Sequence, residues 1–258
     1  LRHIHRHMKP QKDCPTYSLE VSRTSPDLVV YRPTAEFGLD AENQQVIGTV
    51  AANGDFLLTW TSASKENDPN QRVVLSRSSD LGATWSEPVE IDGPTPDQMT
   101  GPERGLHLAS WSFFVHAPAL RRLYLFYCKN IGVVDARADT TGILRFRYSE
   151  DDGQTWSEPH DHLRIRRSPI DHADPAVPVN FVPCFQCFHG PDGVPMATIT
   201  RWGSGNPDLL NVQSEVWLLR FDNILAESDP AKLSMTTLPD GDHGIRVPHP
   251  FRMGMSCA

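Results

Sequence analysis

The strongest constraint on the fold is an eight-residue pattern, Ser-x-Asp-x-Gly-x-Thr-Trp, that occurs twice. It occupies residues 78–85 in "SRSSDLGATWSEP" and residues 149–156 in "RYSEDDGQTWSEP". Asp80 and Asp151 lie 71 positions apart, and the same step leads to Asp222 in "VWLLRFDNI", where an apolar strand precedes the aspartate but Gly and Thr-Trp are missing. Self-similarity at a fixed period predicts repeated structural units. We therefore expect three units, the third with a degenerate octet.

The segments around each octet predict four short strands per unit. In the first unit, "QVIGTVAA" and "DFLLTWT" flank Asn53-Gly54, a strong hairpin signal. "QRVVLSRS" then leads into the octet and "EPVEI" follows it. The matching segments are "SWSFFVHA", "RLYLFYC", "GILRFRYS" and "LRIRR" in the second unit, and "VNFVPCFQCF", "VPMATIT", "SEVWLLRF" and "LSMTTL" in the third. No segment has sustained helical periodicity, so the sequence predicts an all-β fold.

Four-stranded units repeating at this spacing are typical of the blades of a β-propeller, which protects sheet edges by radial repetition. Three blades do not close a ring, so we expect an incomplete propeller in which residues 17–33 supply the strand that completes the last blade. Residues 1–16 are expected to be a mobile N-terminal segment. The predicted blades cover about residues 40–95, 105–168 and 175–240, and the next blade begins within 241–258.

Composition restricts the class of partner. The formal net charge is -8 and no run of Lys and Arg occurs, which argues against nucleic acid or an anionic membrane as a partner. No apolar run approaches the roughly 18 residues of a membrane span, and the first ten residues, "LRHIHRHMKP", lack the apolar core of a signal peptide. The five cysteines are an odd, scattered set that does not predict a disulfide framework. Cellular compartment and oligomeric state stay open.

The octet residues suit a structural turn better than catalysis. Glycine tolerates a positive φ, and short Ser and Asp side chains hydrogen-bond to the amides of their own turn. Tryptophan supplies a large apolar surface for packing between sheets. We therefore assign a structural role to Ser78, Asp80, Gly82 and Trp85 in the first octet and to Ser149, Asp151, Gly153 and Trp156 in the second.

The octet resembles the Asp-box of the sialidase (neuraminidase) superfamily and other BNR-repeat proteins. The stretches "SEDDGQTWSEP", "IDHADPAVPVNF" and "LLRFDNI" are also similar to bacterial sialidase-like proteins, and the resemblance covers about residues 40 to 250. It implies a six-bladed propeller whose Asp-boxes lie between the third and fourth strand of a blade, on the face opposite the active site.

The implied placement confines the candidate site residues to a few loops. Loops between second and third strands, and the approaches to first strands, would lie at the end away from the octets. We call this the site end, and the other the octet end. The candidate stretches are 42–45, 64–71, 103–111, 129–140, 171–180 and 201–214, with Arg246 at the start of the fourth blade.

Sialidases use a Tyr nucleophile with an acidic acid/base residue. By resemblance the general acid is Asp68 in "KENDPNQRVVLSRS", with Glu66 as a substitute, although a solvated polar loop is the alternative. The position of the family's first arginine is occupied by Gln44, and Arg32 lies too far upstream to take its place. The missing arginine argues against sialic acid as the substrate. The nucleophilic Tyr, its Glu partner and further arginines are expected in later blades.

Two other groups could bind a sugar. Arg201 ends a predicted strand at the site end and could bind a carboxylate or a hydroxyl, with Trp202 beside it for stacking on a sugar ring. Arg246 is a weaker candidate. The loop "SPIDHADPAVP" brings Asp171, His172 and Asp174 close together. They could act as acid/base, sugar-binding or metal-binding groups. The alternative, which we favour, is that they only hold the loop in place through hydrogen bonds within it.

Metal and cofactor signals are weak. Cys184 and Cys187 have the spacing of zinc and redox sites, but no second pair exists and an odd separation on a strand points the two side chains to opposite faces. "HIHRH" at residues 3–7 is not expected to hold a functional metal. We expect no metal and no cofactor. The sequence favours an exo-acting glycoside hydrolase for terminal sugars, with sialic acid as one candidate; the alternative is a non-catalytic BNR propeller that binds glycan or protein.

Overall fold

The computed structural model describes residues 28–35, 38–135, 137–203, 214–245, 247–249 and 252–257. Within these ranges the chain is built from antiparallel β-strands, with one short α-helix, α1 (Pro96–Thr100), and two single-turn 3-10 helices, Pro118–Leu120 and Pro230–Lys232. The strands are β1 (Glu42–Val50), β2 (Phe56–Ala63), β3 (Arg72–Ser78), β4 (Val89–Asp92), β5 (Ala109–Ala117), β6 (Arg122–Lys129), β7 (Thr141–Ser149), β8 (Val179–His189), β9 (Pro195–Trp202), β10 (Ser214–Phe221), β11 (Met235–Leu238), β12 (Val247–His249) and β13 (Arg252–Cys257).

The strands form repeated units in chain order. Unit one is a four-stranded sheet in the order β1-β2-β3-β4. Strands β5 to β11 form a seven-stranded sheet, in which β7 and β8 pair only at Thr141–Asn180 and Gly142–Val179. We therefore treat β5–β7 as unit two and β8–β11 as unit three. The all-β prediction is confirmed.

The second unit departs from the predicted four strands. Residues 163–167, "LRIRR", form no strand, and the fourth position is reduced to a bridge between Phe146 and His160. Leu163 and Ile165 are buried, but the backbone N–H of Arg166 donates to Thr237 Oγ1 of unit three at 3.2 Å. The segment is thus held by the neighbouring unit instead of extending its own sheet.

The predicted strand at residues 17–33 lies largely outside the described residues, and its described part, 28–33, forms no strand. Tyr31 packs instead against Trp60 of unit one, with ring centroids 5.9 Å apart, and its hydroxyl donates to Asp40. This hydrogen bond and burial raise the pKa of Tyr31 to about 12.

The first strand of each unit has a register irregularity, between Gln44 and Ile47, between Ser110 and Phe113, and between Pro183 and Cys187. In β1 and β5 a non-glycine residue has a positive φ, Gln45 at 60° and Trp111 at 58°. Such bulges bend and twist a strand. Strand β5 contacts both β1 and β8, so the three bulged strands lie close to one another.

The units pack face to face through apolar side chains. Phe113 and Phe126 of unit two pack with Phe181 and Trp217 of unit three in one buried cluster. A second cluster joins unit one to unit two and includes Leu57, Leu75, Leu125 and Tyr127. The apolar side chains at alternate positions of these strands are therefore buried against the neighbouring unit.

A buried ionic network also joins units one and two. Asp92 accepts hydrogen bonds from Lys129 Nζ at 2.9 Å, Arg145 Nη1 at 3.0 Å and the Tyr127 hydroxyl at 2.9 Å. Burial acts to raise the pKa of Asp92, but the two cations outweigh it and hold that pKa below its usual value. Burial lowers the pKa of Lys129.

The first octet forms a closed turn between β3 and β4. The Gly82 N–H donates to Ser78 Oγ at 2.8 Å, and Ser78 Oγ donates to Asp80 Oδ1 at 2.8 Å. The backbone N–H and the hydroxyl of Thr84 donate to the two oxygens of Asp80 at 2.8 and 2.6 Å. The Thr84 bonds lower the pKa of Asp80 to about 2. Trp85 Nε1 donates to the Gly82 carbonyl at 3.0 Å.

The second octet repeats this turn after β7. Ser149 Oγ accepts from Gly153 N–H and donates to Asp151, and Thr155 donates twice to Asp151, at the same distances as in the first octet. Trp156 packs against the apolar cluster between units one and two. In both copies the hydrogen bonds of the carboxylate stay within the turn, which supports the structural assignment.

The degenerate third position uses its aspartate differently. Asp222 follows β10, and its carboxylate accepts from Arg220 Nη1 at 2.7 Å and from Thr236 Oγ1 of β11 at 2.8 Å. The aspartate thus bridges two adjacent strands without the Ser, Gly and Thr of the octet.

Candidate functional site

The antiparallel connections place the octets and the candidate loops at opposite ends of the sheets. The β2–β3 and β6–β7 loops lie at the end opposite the β3–β4 octet turn and the turn after β7. At the octet end, the Ala52 N–H of unit one donates to Asp152 of unit two at 3.1 Å. At the site end, Arg137 of unit two contacts Glu66 of unit one.

A charged cluster joins all three units at the site end. Arg137 Nη2 donates to Glu66 Oε1 at 2.6 Å and to Asp139 Oδ2 at 2.8 Å, and Arg137 Nε donates to Asp139 Oδ1 at 3.0 Å. The guanidinium carbon lies 5.8 Å from the ring centroid of Trp202, the last residue of β9. We call these four residues the Arg137 cluster. They bring a cation, two carboxylates and an aromatic ring together.

The burial of the cluster separates its members by role. The Asp139 side chain is 1% exposed, whereas those of Arg137 and Glu66 are 31% and 49% exposed. Asp139 therefore orients Arg137 from below, and a ligand could contact Arg137, Glu66 and the half-buried Trp202. Within the described part of the chain, Arg137 Nη1 has no hydrogen-bond partner in the protein, so this donor is available to a ligand.

Asn67 ties the loops of units one and two together. Its φ is +62°, a left-handed conformation that Asn tolerates better than most residues. Its Oδ1 accepts from the Asp139 N–H at 3.2 Å, and its own N–H donates to Gln71 Oε1 at 2.9 Å. The backbone between Glu66 and Asp68 is thus fixed against the neighbouring unit.

Asp68 lies next to this cluster in the same loop. Its Oδ2 accepts from Ser64 Oγ at 2.5 Å, and its Oδ1 lies 3.6 Å from the ammonium of the exposed Lys65. The Asp68 side chain is 23% exposed. Its carboxylate therefore reaches solvent at the site end and is not tied to Arg137.

Arg201 lies beneath the surface, with no exposed area. Its Nη2 donates to the Arg166 carbonyl, and its guanidinium lies 5.0 Å from the Trp217 ring centroid. Asp171 Oδ1 is 3.5 Å from Arg201 Nε, too far for a hydrogen bond. Burial lowers the pKa of Arg201 and raises the pKa of Asp171. A direct contact between Arg201 and a ligand would require the residues that cover the Arg201 side chain to move.

The loop with Asp171, His172 and Asp174 uses its polar groups internally. Asp171 Oδ2 accepts from the Ser168 N–H at 2.8 Å, His172 Nδ1 from the Asp174 N–H at 3.0 Å, and Asp174 Oδ1 from the Ala176 N–H at 2.9 Å. These contacts agree with the stapled-loop interpretation. Within the described ranges, no group of three or more His, Cys, Asp or Glu side chains could hold a metal ion.

The remaining candidate positions contribute no charged side chain to the described part of the site end. Gln44 lies in β1, and its amide donates to Glu42 Oε1 at 2.9 Å. Cys187 is a half-buried free thiol. Arg246, the side chain of Cys184 and residues 3–7 lie outside the described residues.

The sequence predicts that the loop 129–140 lies at the site end, but its pattern does not single out Arg137 or Asp139. The repeat itself carried a signal, because Glu66 and Arg137 are 71 positions apart, the same step that separates Asp80 and Asp151. Equivalent positions in adjacent units meet at one end of the sheets. The residue 71 beyond Arg137 lies outside the described part of the chain.

No family model matches the chain, and no curated protein matches its sequence. Among solved structures, a Hadza microbial sialidase aligns with 76% of this chain and 37% of its own length, at 14% identity and a TM-score of 0.55. The fold of the chain is similar to that of part of this sialidase. A protein of unknown function from Dyadobacter fermentans aligns with 81% of this chain and 56% of its own length, at 15% identity and a TM-score of 0.51. The chain thus spans 37% and 56% of the lengths of these two structures. Across the described ranges, no helix is long and apolar enough to cross a membrane.

Proposed function

We propose that the site end is a glycan-binding active site at which terminal glycosidic bonds are hydrolysed. The observation that carries this proposal is the meeting of Glu66, Arg137, Asp139 and Trp202, which come from three different units, beside the solvent-accessible Asp68. Sugar sites combine carboxylate acceptors, guanidinium donors and an aromatic face, because a sugar ring presents both hydroxyl groups and an apolar C–H surface.

Each residue has a distinct role in this proposal. Asp68 is the candidate general acid, since its carboxyl group is accessible to solvent and accepts a hydrogen bond from Ser64. Glu66 is the substitute, although one of its oxygens already accepts from Arg137. Trp202 supplies the stacking face, and Arg137 Nη1 supplies a donor to a sugar hydroxyl. Arg201 is assigned to supporting the loop around Asp171, because it is fully buried.

The test is hydrolysis of a panel of fluorogenic terminal glycosides, a sialoside included, by the full-length protein, with the later blades in which the nucleophile is expected, and by its Asp68→Asn variant. We expect at least one substrate to be turned over and the rate to fall by about 100-fold or more in the variant, the usual contribution of acid catalysis. Asp97→Asn is the matched control, because Asp97 is an exposed carboxylate in α1 outside the cluster. Turnover that is unchanged in Asp68→Asn would contradict the assignment of the general acid.

A non-catalytic glycan-binding propeller is the second candidate. It is favoured by Gln44 at the position of the family's first arginine and by the engagement of Arg137 with two carboxylates. This candidate predicts glycan binding that is lost in Trp202→Ala and kept in Asp68→Asn, with no turnover of any glycoside. Binding to none of the glycans would contradict both candidates.

A further inference from the structure

We propose that the site end selects an uncharged, hydroxyl-rich sugar over one that bears a carboxylate. This inference rests on the proposed function and names the substrate class of the same site. It follows from the charges and hydrogen-bonding capacity of the Arg137 cluster and of four other described positions, Asp68, Lys65, Arg201 and Gln44.

The two neighbouring N–H donors with which Arg137 would bind the carboxylate of a sugar already donate to Asp139. An arginine binds a carboxylate through two parallel N–H donors. In Arg137 these are Nε and Nη2, and both donate to Asp139, at 3.0 and 2.8 Å. Nη2 also donates to Glu66. The remaining Nη1 can donate to a single acceptor such as a hydroxyl oxygen, but it cannot form the two-point contact.

Three other described positions, Arg201, Gln44 and Lys65, do not replace it. Arg201 is buried and donates to the Arg166 carbonyl beside the Trp217 ring. Gln44 carries a neutral amide where a cation would be needed, and that amide donates to Glu42. Lys65 is 76% exposed and lies 3.6 Å from Asp68, whose charge it balances.

The Arg137 cluster together with Asp68 and Lys65 contains three carboxylates and two cations, a net charge of -1. The Glu66 side chain is 49% exposed and that of Asp68 is 23% exposed. Their oxygens can accept hydrogen bonds from sugar hydroxyls, whereas a sugar carboxylate placed against them would be repelled. Stacking on Trp202 needs no charge on the sugar.

The test measures dissociation constants by calorimetry at low ionic strength for matched sugar pairs that differ in the acidic group: methyl galactoside and its galacturonide, methyl glucoside and its glucuronide, and lactose and sialyllactose. We expect the neutral member of any pair that binds to bind at least about tenfold more tightly, because like charges in contact are costly. Salt should narrow the difference, since it screens exposed charges.

Glu66→Gln removes one accessible charge while its amide oxygen can still accept from Arg137. The preference for the neutral sugar should shrink about threefold or more in this variant. Glu150→Gln is the control, because Glu150 is 59% exposed in the octet turn of unit two and should leave the preference unchanged. Equal or tighter binding of the acidic members would overturn the inference and leave the proposed function standing. If no sugar of any pair binds, the proposed function fails as well.

Discussion

The two octet glycines give a matched test of the structural role of the octet. Gly82 and Gly153 have φ values of 89° and 80°, so alanine at either position adopts a left-handed backbone that costs about 1 kcal/mol. The surroundings differ. A Cβ on Gly82 would find its nearest neighbour, Leu28 Cδ1, at 3.4 Å, which is ordinary contact. A Cβ on Gly153 would lie 2.7 Å from Cδ1 of the fully buried Leu57.

The collision adds an overpacking cost at only one of the two sites. Displacing a buried leucine in a close-packed interface costs about 1–3 kcal/mol. We therefore expect Gly82→Ala to lower the free energy of unfolding by about 1 kcal/mol and Gly153→Ala by about 2–4 kcal/mol. Leu57 belongs to unit one, so the extra loss would report the packing of unit two against unit one.

The assay is urea denaturation of both variants, followed by tryptophan fluorescence. Equal losses in the two variants would refute the packing argument, and a larger loss in Gly82→Ala would reverse it. Both folded variants should bind glycans as the wild type does. Loss of binding without loss of stability in either one would contradict the assignment of the octets to structure.

Three further outcomes follow from the contacts of Lys129, Tyr31 and Asn67. Lys129→Met should destabilise the chain by about 3 kcal/mol in thermal or urea unfolding, because Asp92 stays buried without this partner. The exposed Lys232→Met should change stability by less than about 1 kcal/mol. Tyr31 should titrate near pH 12 by phenolate absorbance, and Asp40→Asn should move the pKa of Tyr31 back towards 10. Because the pKa of Tyr31 is raised in the folded state, the stability linked to this group is present below pH 10 and is lost as the pH rises towards 12. Asn67→Ala should be less stable than Asn67→Gly, since both lose the bond to Asp139 but only alanine strains the backbone.

The hairpins and octets could be predicted because their chemistry is local. Asn53-Gly54 forms the β1–β2 turn with Gly54 at a φ of 93°, as the dipeptide predicts. The same holds for the octet, whose side chains bond within eight residues. Antiparallel topology then decides which end of a sheet each loop and each strand end occupies, and this is why the sequence could place the Asp68 loop and the end of β9 at Trp202 on the same end.

The features that the sequence did not provide depend on contacts between units. "LRIRR" has the alternation of a strand, but Arg166 bonds to Thr237 of unit three, a partner 71 residues away that local pattern does not show. The bulges in β1 and β5 place Gln45 and Trp111 at positive φ, although neither residue signals this conformation. Arg201 was detectable as buried, because it continues the inward alternation of Ala197 and Ile199 in β9.

Hydrogen–deuterium exchange with and without a bound neutral glycan shows which segments the ligand contacts. We expect residues 64–71, 137–141 and 200–202 to gain protection together, because the ligand contacts segments from three units that meet at Arg137. Residues 78–85 and 149–156, at the octet end, should exchange at unchanged rates. Protection confined to the octets, or to a single unit, would contradict the account.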